Sequence, residues 1–324
     1  MLVSVLLFAV GLVLLIKGGD WFVDGAVGIA KRFNLPDIVV GATVVSIGTT
    51  LPEVMVSTTG ALAGSGAMAY GNAIGSIICN TALIAAISIT CNPGPVNVKS
   101  MKTPAIFFFC SAALYCLAAY GLGTFPRWMG FVMLTVFVIY MVMTVRNGMK
   151  NPDAGAEEEE EGGKPKKLWQ ELLLLVIGAT VIAVGADLLV DHGQIIAIEL
   201  GVPETVVALL FVALGTSLPE LVTTITSLKK GRASLGVGNV IGANIFNLVL
   251  VSGVAVSLAP FDVPVENTLL DTGLNLSLVF DIPVMLGVMS LMIFPALLGK
   301  KLSRWQGIAL LCIYAAFCVC QFML

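Results

Sequence analysis

The stretch SIGTTLPE, residues 46–53, lies inside a long apolar run. Two threonines, a proline and a glutamate are unusual there, because proline interrupts the hydrogen bonds of a helix and hydrocarbon disfavours a carboxylate. A second copy, ALGTSLPE at residues 213–220, lies in the other half of the chain. The duplicated motif indicates that a helix break and a cluster of polar groups occur twice in this chain.

The composition is that of a membrane protein. The chain has 324 residues, of which 58% are hydrophobic and 11% charged, and its mean hydropathy is +1.00. Soluble domains contain about 25% charged residues. The apolar runs reach the roughly 20 residues that a helix needs to cross about 30 Å of hydrocarbon, and the alternation typical of a β-barrel is absent. The sequence therefore predicts an all-α membrane protein.

Hydropathy divides the chain into ten transmembrane helices. The predicted spans are residues 2–32, 37–63, 68–92, 103–121, 127–147, 168–195, 203–228, 234–259, 279–298 and 304–323. The first span lacks a basic leading region and a cleavage pattern, so we expect a retained helix and not a signal peptide. The predicted units are a five-helix repeat at 1–148, an acidic linker at 149–167 and a second five-helix repeat at 168–324.

Basic residues predict the orientation. With both termini outside, fifteen of the seventeen lysines and arginines lie in inner loops or in the linker. Because short cytoplasmic loops are rich in lysine and arginine, we expect the linker to be cytosolic and the protein to reside in the cell (inner) membrane. The linker contains five consecutive glutamates, and the expectation for it is a solvated segment.

An internal repeat relates the two halves at a constant offset. Segment 41–80 matches segment 208–247 without a gap, so that Glu53 corresponds to Glu220 and Asn80 to Asn247. Each half has an odd number of spans, and the halves must therefore enter the membrane from opposite sides. Inverted repeats of this kind are typical of secondary transporters, whose substrates bind near the bilayer midplane at interrupted helices.

The residue types in the motif favour a hard cation. Pro52 has no N–H and frees the carbonyl of Gly48. Such loosened backbone survives at membrane depth only where it is buried in protein or lines a wet cavity. Helical spacing places the polar side chains on one face: these are Ser46, Thr49, Glu53 and Ser57. Carbonyl, hydroxyl and carboxylate oxygens suit Ca²⁺ or Na⁺ and not soft metals.

The two motif glutamates, Glu53 and Glu220, are expected to meet at the centre of the molecule. A charged side chain at mid-membrane costs about 2.5–3.5 kcal/mol on the insertion scale, and two carboxylates also repel each other. The spans around the motifs contain no lysine or arginine as a partner. A bound divalent cation would match both charges; the alternative is a pair of structural glutamates that stay protonated.

GTTLPE with GNAIGSIICN, and GTSLPE with GNVIGANIFN, resemble the two α-repeats of the cation/calcium antiporter superfamily, in its sodium/calcium exchanger branch. The resemblance implies Na⁺-driven Ca²⁺ transport by alternating access, with no enzymatic activity and no cofactor other than the transported ions. It implies Ca²⁺ binding by Glu53 and Glu220 with backbone oxygens of Thr49 and Thr216. The implied Na⁺ sites use the backbone carbonyls of Ser46 and Ala213, together with Thr50, Ser217, Ser76, Ala243, Asn80 and Asn247.

Some positions depart from the family pattern. Asn80 and Asn247 are both neutral where relatives can carry an aspartate, and Ala243 replaces the hydroxyl of Ser76. The site then has two formal negative charges, which leaves a Ca²⁺/H⁺ antiporter and a K⁺-dependent Na⁺/Ca²⁺ exchanger as alternatives. A passive cation channel is a third alternative, of a different class. The expected partners are Ca²⁺, Na⁺ and the lipid bilayer, with no nucleic acid and no obligate protein.

Four aspartates lie outside the motifs, on the first and sixth predicted helices: Asp20, Asp24, Asp187 and Asp191. The two members of each pair are separated by one helical turn, so each pair lies on one helix face. The expectation is that these carboxylates lie near the lipid headgroups; the alternative is an entry path that attracts cations.

Overall fold

The computed structural model describes residues 2–150, 167–200, 215–264 and 275–323, and nearly all of these are helical. Within these ranges the helices are α1 (Leu2–Phe33), α2 (Asp37–Thr49), α3 (Leu51–Leu62), α4 (Gly66–Cys91), α5 (Val98–Leu122), α6 (Arg127–Lys150), α7 (Leu168–Glu199), α8 (Leu218–Lys229), α9 (Ala233–Leu258), α10 (Ser277–Gly299) and α11 (Arg304–Met323).

The chain is a multi-pass integral membrane protein. In the described ranges, eight helices are long and apolar enough to cross a bilayer, and the bent pair α2–α3 makes a ninth span. The predicted span 203–228 lies partly outside the described residues, and its described part is α8. The acidic linker and Ala213 also lie outside them. The count of ten spans therefore stays a prediction.

Several helices extend beyond their predicted ends, as α5 and α6 show. Helix α5 begins at Val98 and not at 103, because the side chain of Asn97 accepts hydrogen bonds from the backbone N–H groups of Lys99 and Ser100. Hydropathy alone misses this polar first turn. Helix α6 continues past 147 to Lys150. Side-chain capping and solvated helix ends, which hydropathy does not measure, explain both differences.

Within the described ranges, five helices contain a π-helical turn, a feature that is frequent at functional sites. The turns are Gly41–Val45 in α2, Asn80–Ala85 in α4, Leu117–Leu122 in α5, Asn247–Val251 in α9 and Ser277–Asp281 in α10. Those in α4 and α9 both begin at an asparagine, and these two asparagines are equivalent positions of the sequence repeat. The irregular turns at the asparagines thus follow the repeat.

Helices α1 and α7 form a close antiparallel pair. Glycines spaced at two helical turns on α1 face the backbone of α7: a Cβ on Gly11 would lie 2.9 Å from the carbonyl oxygen of Gly185, and one on Gly25 would lie 2.7 Å from that of Glu171. The absence of side chains at these positions lets the two backbones touch. The pair therefore packs as one unit beside the other helices.

The remaining helices enclose the largest apolar core. It is built mainly from α4, α5, α6, α9 and α10. Four two-residue strands join the halves: β1 (Gly94–Pro95) pairs with β4 (Lys301–Leu302), and β2 (Thr124–Phe125) pairs with β3 (Phe261–Asp262), both antiparallel. Each pairing connects a segment of one half to a segment of the other, so the halves interlock.

Several ion pairs of the described residues lie at one end of the molecule. We call this end the basic side: here α1 ends at Phe33, α8 ends at Lys229 and α2 begins at Asp37. Lys230 Nζ lies 2.7 Å from Asp24 Oδ1 and donates to the carbonyl oxygen of Asp20 at 3.0 Å. Two further pairs are Arg232 with Asp37 at 3.2 Å and Arg32 with Glu171 at 3.0 Å.

The aspartates of α1 and α7 therefore differ. Asp20 and Asp24 contact Lys230, which attaches α1 to the turn between α8 and α9. Helix spacing cannot reveal this partner, because the lysine lies in the other half of the chain. Asp187 and Asp191 lie exposed on α7. The two pairs thus share a spacing but not an environment.

Candidate functional site

The first motif breaks its helix. Helix α2 ends at Thr49, α3 begins at Leu51, and the two axes differ by 46°. Thr50 between them has φ −86° and ψ −1°, and its N–H still donates to the carbonyl oxygen of Ser46 at 3.0 Å. Pro52 in the first turn of α3 has no N–H to continue the ladder. The expected face from Ser46 to Ser57 is therefore divided between two helices.

The second motif repeats this geometry. Ser217, the counterpart of Thr50, has φ −89° and ψ 1°, and α8 begins at Leu218 with Pro219 in its first turn. Each motif thus places a glutamate in the first turn of a short helix, Glu53 in α3 and Glu220 in α8. A helix N-terminus favours a carboxylate electrostatically.

The two glutamates lie together and are fully buried. Both are 0% exposed, and they are close enough for their charges to interact. No oxygen of either carboxylate makes a hydrogen bond of good geometry within the described ranges, although the hydroxyls of Thr49 and Thr50 face the Glu220 carboxylate. The ion pairs found among the described residues involve neither glutamate. Two buried carboxylates thus lie near each other without a protein cation among the described residues.

Further oxygens without a partner surround the pair. Helix α8 packs against the π turn that begins at Asn80, and α3 packs against the one that begins at Asn247. Both amides are 0% exposed, and none of their side-chain atoms has a hydrogen-bond partner in the part of the chain described. The same is true of the hydroxyls of Thr50 and Ser217. Together with the glutamates, these six side chains offer eight buried oxygens.

The breaks are held by asparagines of the opposite half. Thr49 Oγ1 donates to Asn239 Oδ1 at 3.1 Å, and Thr216 Oγ1 donates to Asn72 Oδ1 at 3.4 Å. Thr49 corresponds to Thr216, and Asn72 to Asn239, so one contact repeats the other. The resemblance gave these two asparagines no ion-binding role. Their polar character at repeated positions is the sequence signal for them, but their partners could not be read from it.

The other ligand candidates are placed as follows. Ser46 Oγ lies within hydrogen-bond distance of the carbonyl oxygens of Gly41 and Asn239, at 2.8 and 2.9 Å. Ser76 is 3% exposed and its Oγ is 3.5 Å from Asn72 Oδ1. Ala243 is buried, and its carbonyl oxygen accepts the N–H of Asn247. The structure thus brings most candidates to the two breaks, with the oxygens of Ser46 and Ala243 already engaged.

A small cavity lies between the breaks and the α1–α7 pair. Phe22 of α1 and Ala179 of α7 line one wall, and Thr49, Pro52 and Pro219 line the other. No cluster of three or more histidine, cysteine or acidic side chains occurs among the residues described. The site is therefore a pair of carboxylates among amide and hydroxyl oxygens, a donor set that suits Na⁺ or Ca²⁺.

Comparison with known proteins gives a consistent result. The profile of the family described as sodium/calcium exchanger protein matches residues 3–146 and again residues 171–323. An uncharacterised membrane protein of Methanocaldococcus jannaschii is 35% identical over 95% of this chain and 94% of its own length. The sodium/calcium exchanger MaX1 of Methanosarcina acetivorans is 29% identical over 99% of both chains. A solved structure of the sodium-calcium exchanger NCX_Mj, soaked with 10 mM Na⁺ and no Ca²⁺, superposes with a TM-score of 0.78 at 32% identity over 97% of each chain.

Proposed function

Because the chain belongs to the sodium/calcium exchanger protein family, we propose that it is a secondary active antiporter, which exchanges Ca²⁺ for Na⁺ across a membrane by alternating access. The observation that carries this proposal is the set of eight buried oxygens around Glu53 and Glu220. Burying two carboxylates without a partner is costly. A transported cation removes that cost when it binds.

Ca²⁺ binds between the two glutamates in this proposal. The charge of the ion equals that of the carboxylate pair, and the backbone oxygens of Thr49 and Thr216 complete its surroundings. Na⁺ occupies flanking positions among the hydroxyl and amide oxygens of Thr50, Ser76, Ser217, Asn80 and Asn247, with backbone oxygens of Ser46, Ala213 and Ala243. Since both ions use the same glutamates, occupancy by one excludes the other.

Ten transmembrane helices form two inverted five-helix repeats, at 1–148 and 168–324. Two observations support this architecture. The same family profile matches each half separately, and helix boundaries recur at the offset of the sequence repeat: α3 covers Leu51–Leu62 and α8 covers Leu218–Lys229. In this arrangement the basic side faces the cytosol, with the linker, and both termini lie outside.

Alternating access uses the contact between the α1–α7 pair and the broken helices. The pair packs through glycine backbones and moves as a unit past the cavity that borders Thr49 and Pro219. A site with bound cation is close to neutral and permits this movement. The empty site carries two negative charges and resists it, which couples the flow of the two ions.

The test is radiolabelled Ca²⁺ uptake into proteoliposomes with an imposed Na⁺, K⁺ or H⁺ gradient. We expect uptake driven by the Na⁺ gradient, and we expect Glu53→Gln and Glu220→Gln each to reduce it to background. Asp191→Asn is the matched control, because Asp191 is exposed on α7, and it should retain uptake.

Each alternative gives a different result in the same assay. Uptake driven by a proton gradient alone would contradict the Na⁺ coupling, and a requirement for K⁺ beside Na⁺ would make the exchanger K⁺-dependent. A passive channel would carry Ca²⁺ down its own gradient without a counter-ion. If both glutamine variants take up Ca²⁺ at the wild-type rate, the proposed site is excluded.

A further inference from the structure

Beyond Glu220, helix α8 continues towards the basic side with a row of hydroxyl groups. Thr223, Thr224 and Ser227 follow Glu220 by three, four and seven positions, so all four side chains share one helix face. None of the three hydroxyl residues is more than 2% exposed. We call these three residues the α8 hydroxyl row.

The hydroxyls of the row have no hydrogen-bond partner among the residues that the structure describes. A threonine in a helix can donate to the carbonyl oxygen one turn earlier, and several threonines of this chain do so at 2.7 or 2.8 Å: Thr43, Thr59, Thr90, Thr135 and Thr180. The row departs from this pattern. Its hydroxyls are buried but make no such bond to their own helix.

The other half has no equivalent row. The residues at the equivalent positions of the repeat, on α3, are Val56, Ser57 and Gly60. Ser57 is the only one of the three with a hydroxyl, and its Oγ accepts a hydrogen bond of 2.8 Å from Asn72 Nδ2. Although the two motifs are equivalent at the glutamates, they differ beyond them. The row is therefore found between Glu220 and the basic side and has no counterpart beyond Glu53.

The surroundings of the row connect the site to the basic side. Helix α8 packs against the second half of α4, from the π turn at Asn80 to Cys91, and against α9. A Cβ on Gly236 of α9 would lie 3.2 Å from the methyl group of Thr224. Ser88, which lies in the same second half of α4, is also buried. At its far end α8 reaches Lys230, which holds Asp20 and Asp24 of α1.

We propose that the α8 hydroxyl row is the path by which the transported cation moves between the central site and the basic side. The hydroxyl oxygens replace part of the ion's hydration shell as the ion passes along the face of α8 that packs against α4 and α9. A cation that moves between the central site and the opposite side meets no such hydroxyl row and is solvated by water instead. This inference rests on the proposed exchange function, because it names the route to the same site.

The first test removes the hydroxyls without changing the shape of the row. The variant Thr223→Val/Thr224→Val/Ser227→Ala is compared with Thr135→Val, at an exposed threonine of α6. Equilibrium Ca²⁺ binding in detergent should change less than twofold, because the central oxygens remain. The Ca²⁺ concentration for half-maximal Na⁺-driven uptake should rise at least fivefold in vesicles that expose the basic side, and less than twofold in vesicles of opposite orientation. Equal values for the variant and the wild type from both sides would overturn the proposal.

The second test does not depend on transport. Thr223→Cys, Thr224→Cys and Ser227→Cys are treated with a small cationic, membrane-impermeant thiol reagent, and modification is located by peptide mass spectrometry. We expect labelling from the basic side and at least tenfold slower labelling of Val56→Cys from either side. The three cysteine variants are tested with Na⁺, with Ca²⁺ and without either ion. If none of the three positions is labelled under any of these conditions, a water-accessible path is excluded. If labelling occurs but no ion gradient drives Ca²⁺ uptake, the proposed exchange fails while the path stands.

Discussion

At the scale of single residues, the buried polar groups fall into two kinds. The oxygens of Glu53, Glu220 and Asn80 have no protein partner in the described ranges, and in the proposed function they are ion ligands. Asn239 instead accepts from Thr49 at 3.1 Å and from Ser46 at 3.2 Å. It is thus a positioning residue, which orients side chains at the break and so fixes the ligands indirectly.

This distinction predicts the effect of Asn239→Leu. The substitution leaves the hydroxyl of Thr49 without its acceptor in a buried place, which costs about 1–3 kcal/mol of stability. We also expect weaker Ca²⁺ binding, because Thr49 also faces the Glu220 carboxylate. Thermal unfolding in detergent and equilibrium Ca²⁺ binding measure the two effects.

The control is Asn92→Leu, at an exposed asparagine after α4. It should leave both stability and Ca²⁺ binding within error of the wild type. Wild-type Ca²⁺ binding in Asn239→Leu would show that the asparagine does not position the site, even if the protein is less stable.

At the scale of helices, the chain alternates between regular and interrupted elements. The broken α2–α3 span and the start of α8 carry the site, whereas α1 and α7 each run without a break from Leu2 to Phe33 and from Leu168 to Glu199. The regular pair packs as one unit because its backbones touch at glycines. An added methyl group at this contact meets backbone atoms, which cannot rotate away as a side chain does.

Gly25→Ala should therefore destabilise the protein. The new Cβ would lie 2.7 Å from the carbonyl oxygen of Glu171 and 2.9 Å from the backbone nitrogen of Leu175, and overpacking of this kind costs about 1–3 kcal/mol. Thermal unfolding in detergent measures the loss, and Na⁺-driven uptake should fall with it.

The matched control is Gly287→Ala in α10, where nothing lies within 4 Å of the added Cβ. Alanine has the higher helix propensity by roughly 0.5–1 kcal/mol, so this variant should be as stable as the wild type or slightly more stable. If Gly25→Ala unfolds at the same temperature as Gly287→Ala, close packing of α1 on α7 is contradicted.

At the scale of the whole molecule, equivalent parts of the halves occupy different environments. The turn after α3 contains Gly64 with φ +84°, and the turn after α8 contains Gly231 with φ +68°. Left-handed backbone at a helix end favours glycine, so the two turns have the same cause. Among the described residues, only the second turn has a lysine and an arginine that pair with Asp24 and Asp37. The two ends of the molecule therefore differ in charge.

The proposed inverted architecture predicts that these equivalent turns lie on opposite sides of the membrane. Ser65→Cys and Lys229→Cys both introduce a thiol at an exposed position. In intact cells an impermeant thiol reagent should label Ser65→Cys, and it should label Lys229→Cys only in everted vesicles. Labelling of both positions from one side would exclude inverted repeats.

Much of the fold follows from local sequence. Apolar runs long enough to cross the hydrocarbon determine helices in a bilayer, because backbone polar groups there must be satisfied within the segment. Pro52 and Pro219 determine where α3 and α8 begin, and the constant offset of the repeat relates the two motifs before any coordinates are known. Hydropathy fails at helix ends such as Val98, where a single asparagine cap extends the helix into polar residues.

The amino-acid sequence by itself thus determined the membrane class, the helix breaks and the types of oxygen available, since each depends on neighbours close along the chain. Only the tertiary structure decided that Thr49 meets Asn239 and that Lys230 meets Asp24, whereas the repeat by itself predicts that Glu53 and Glu220 lie together. The tertiary structure also decided which hydroxyls stay without a partner among the described residues. These outcomes depend on how helices far apart in the chain pack together, and no local pattern contains that geometry.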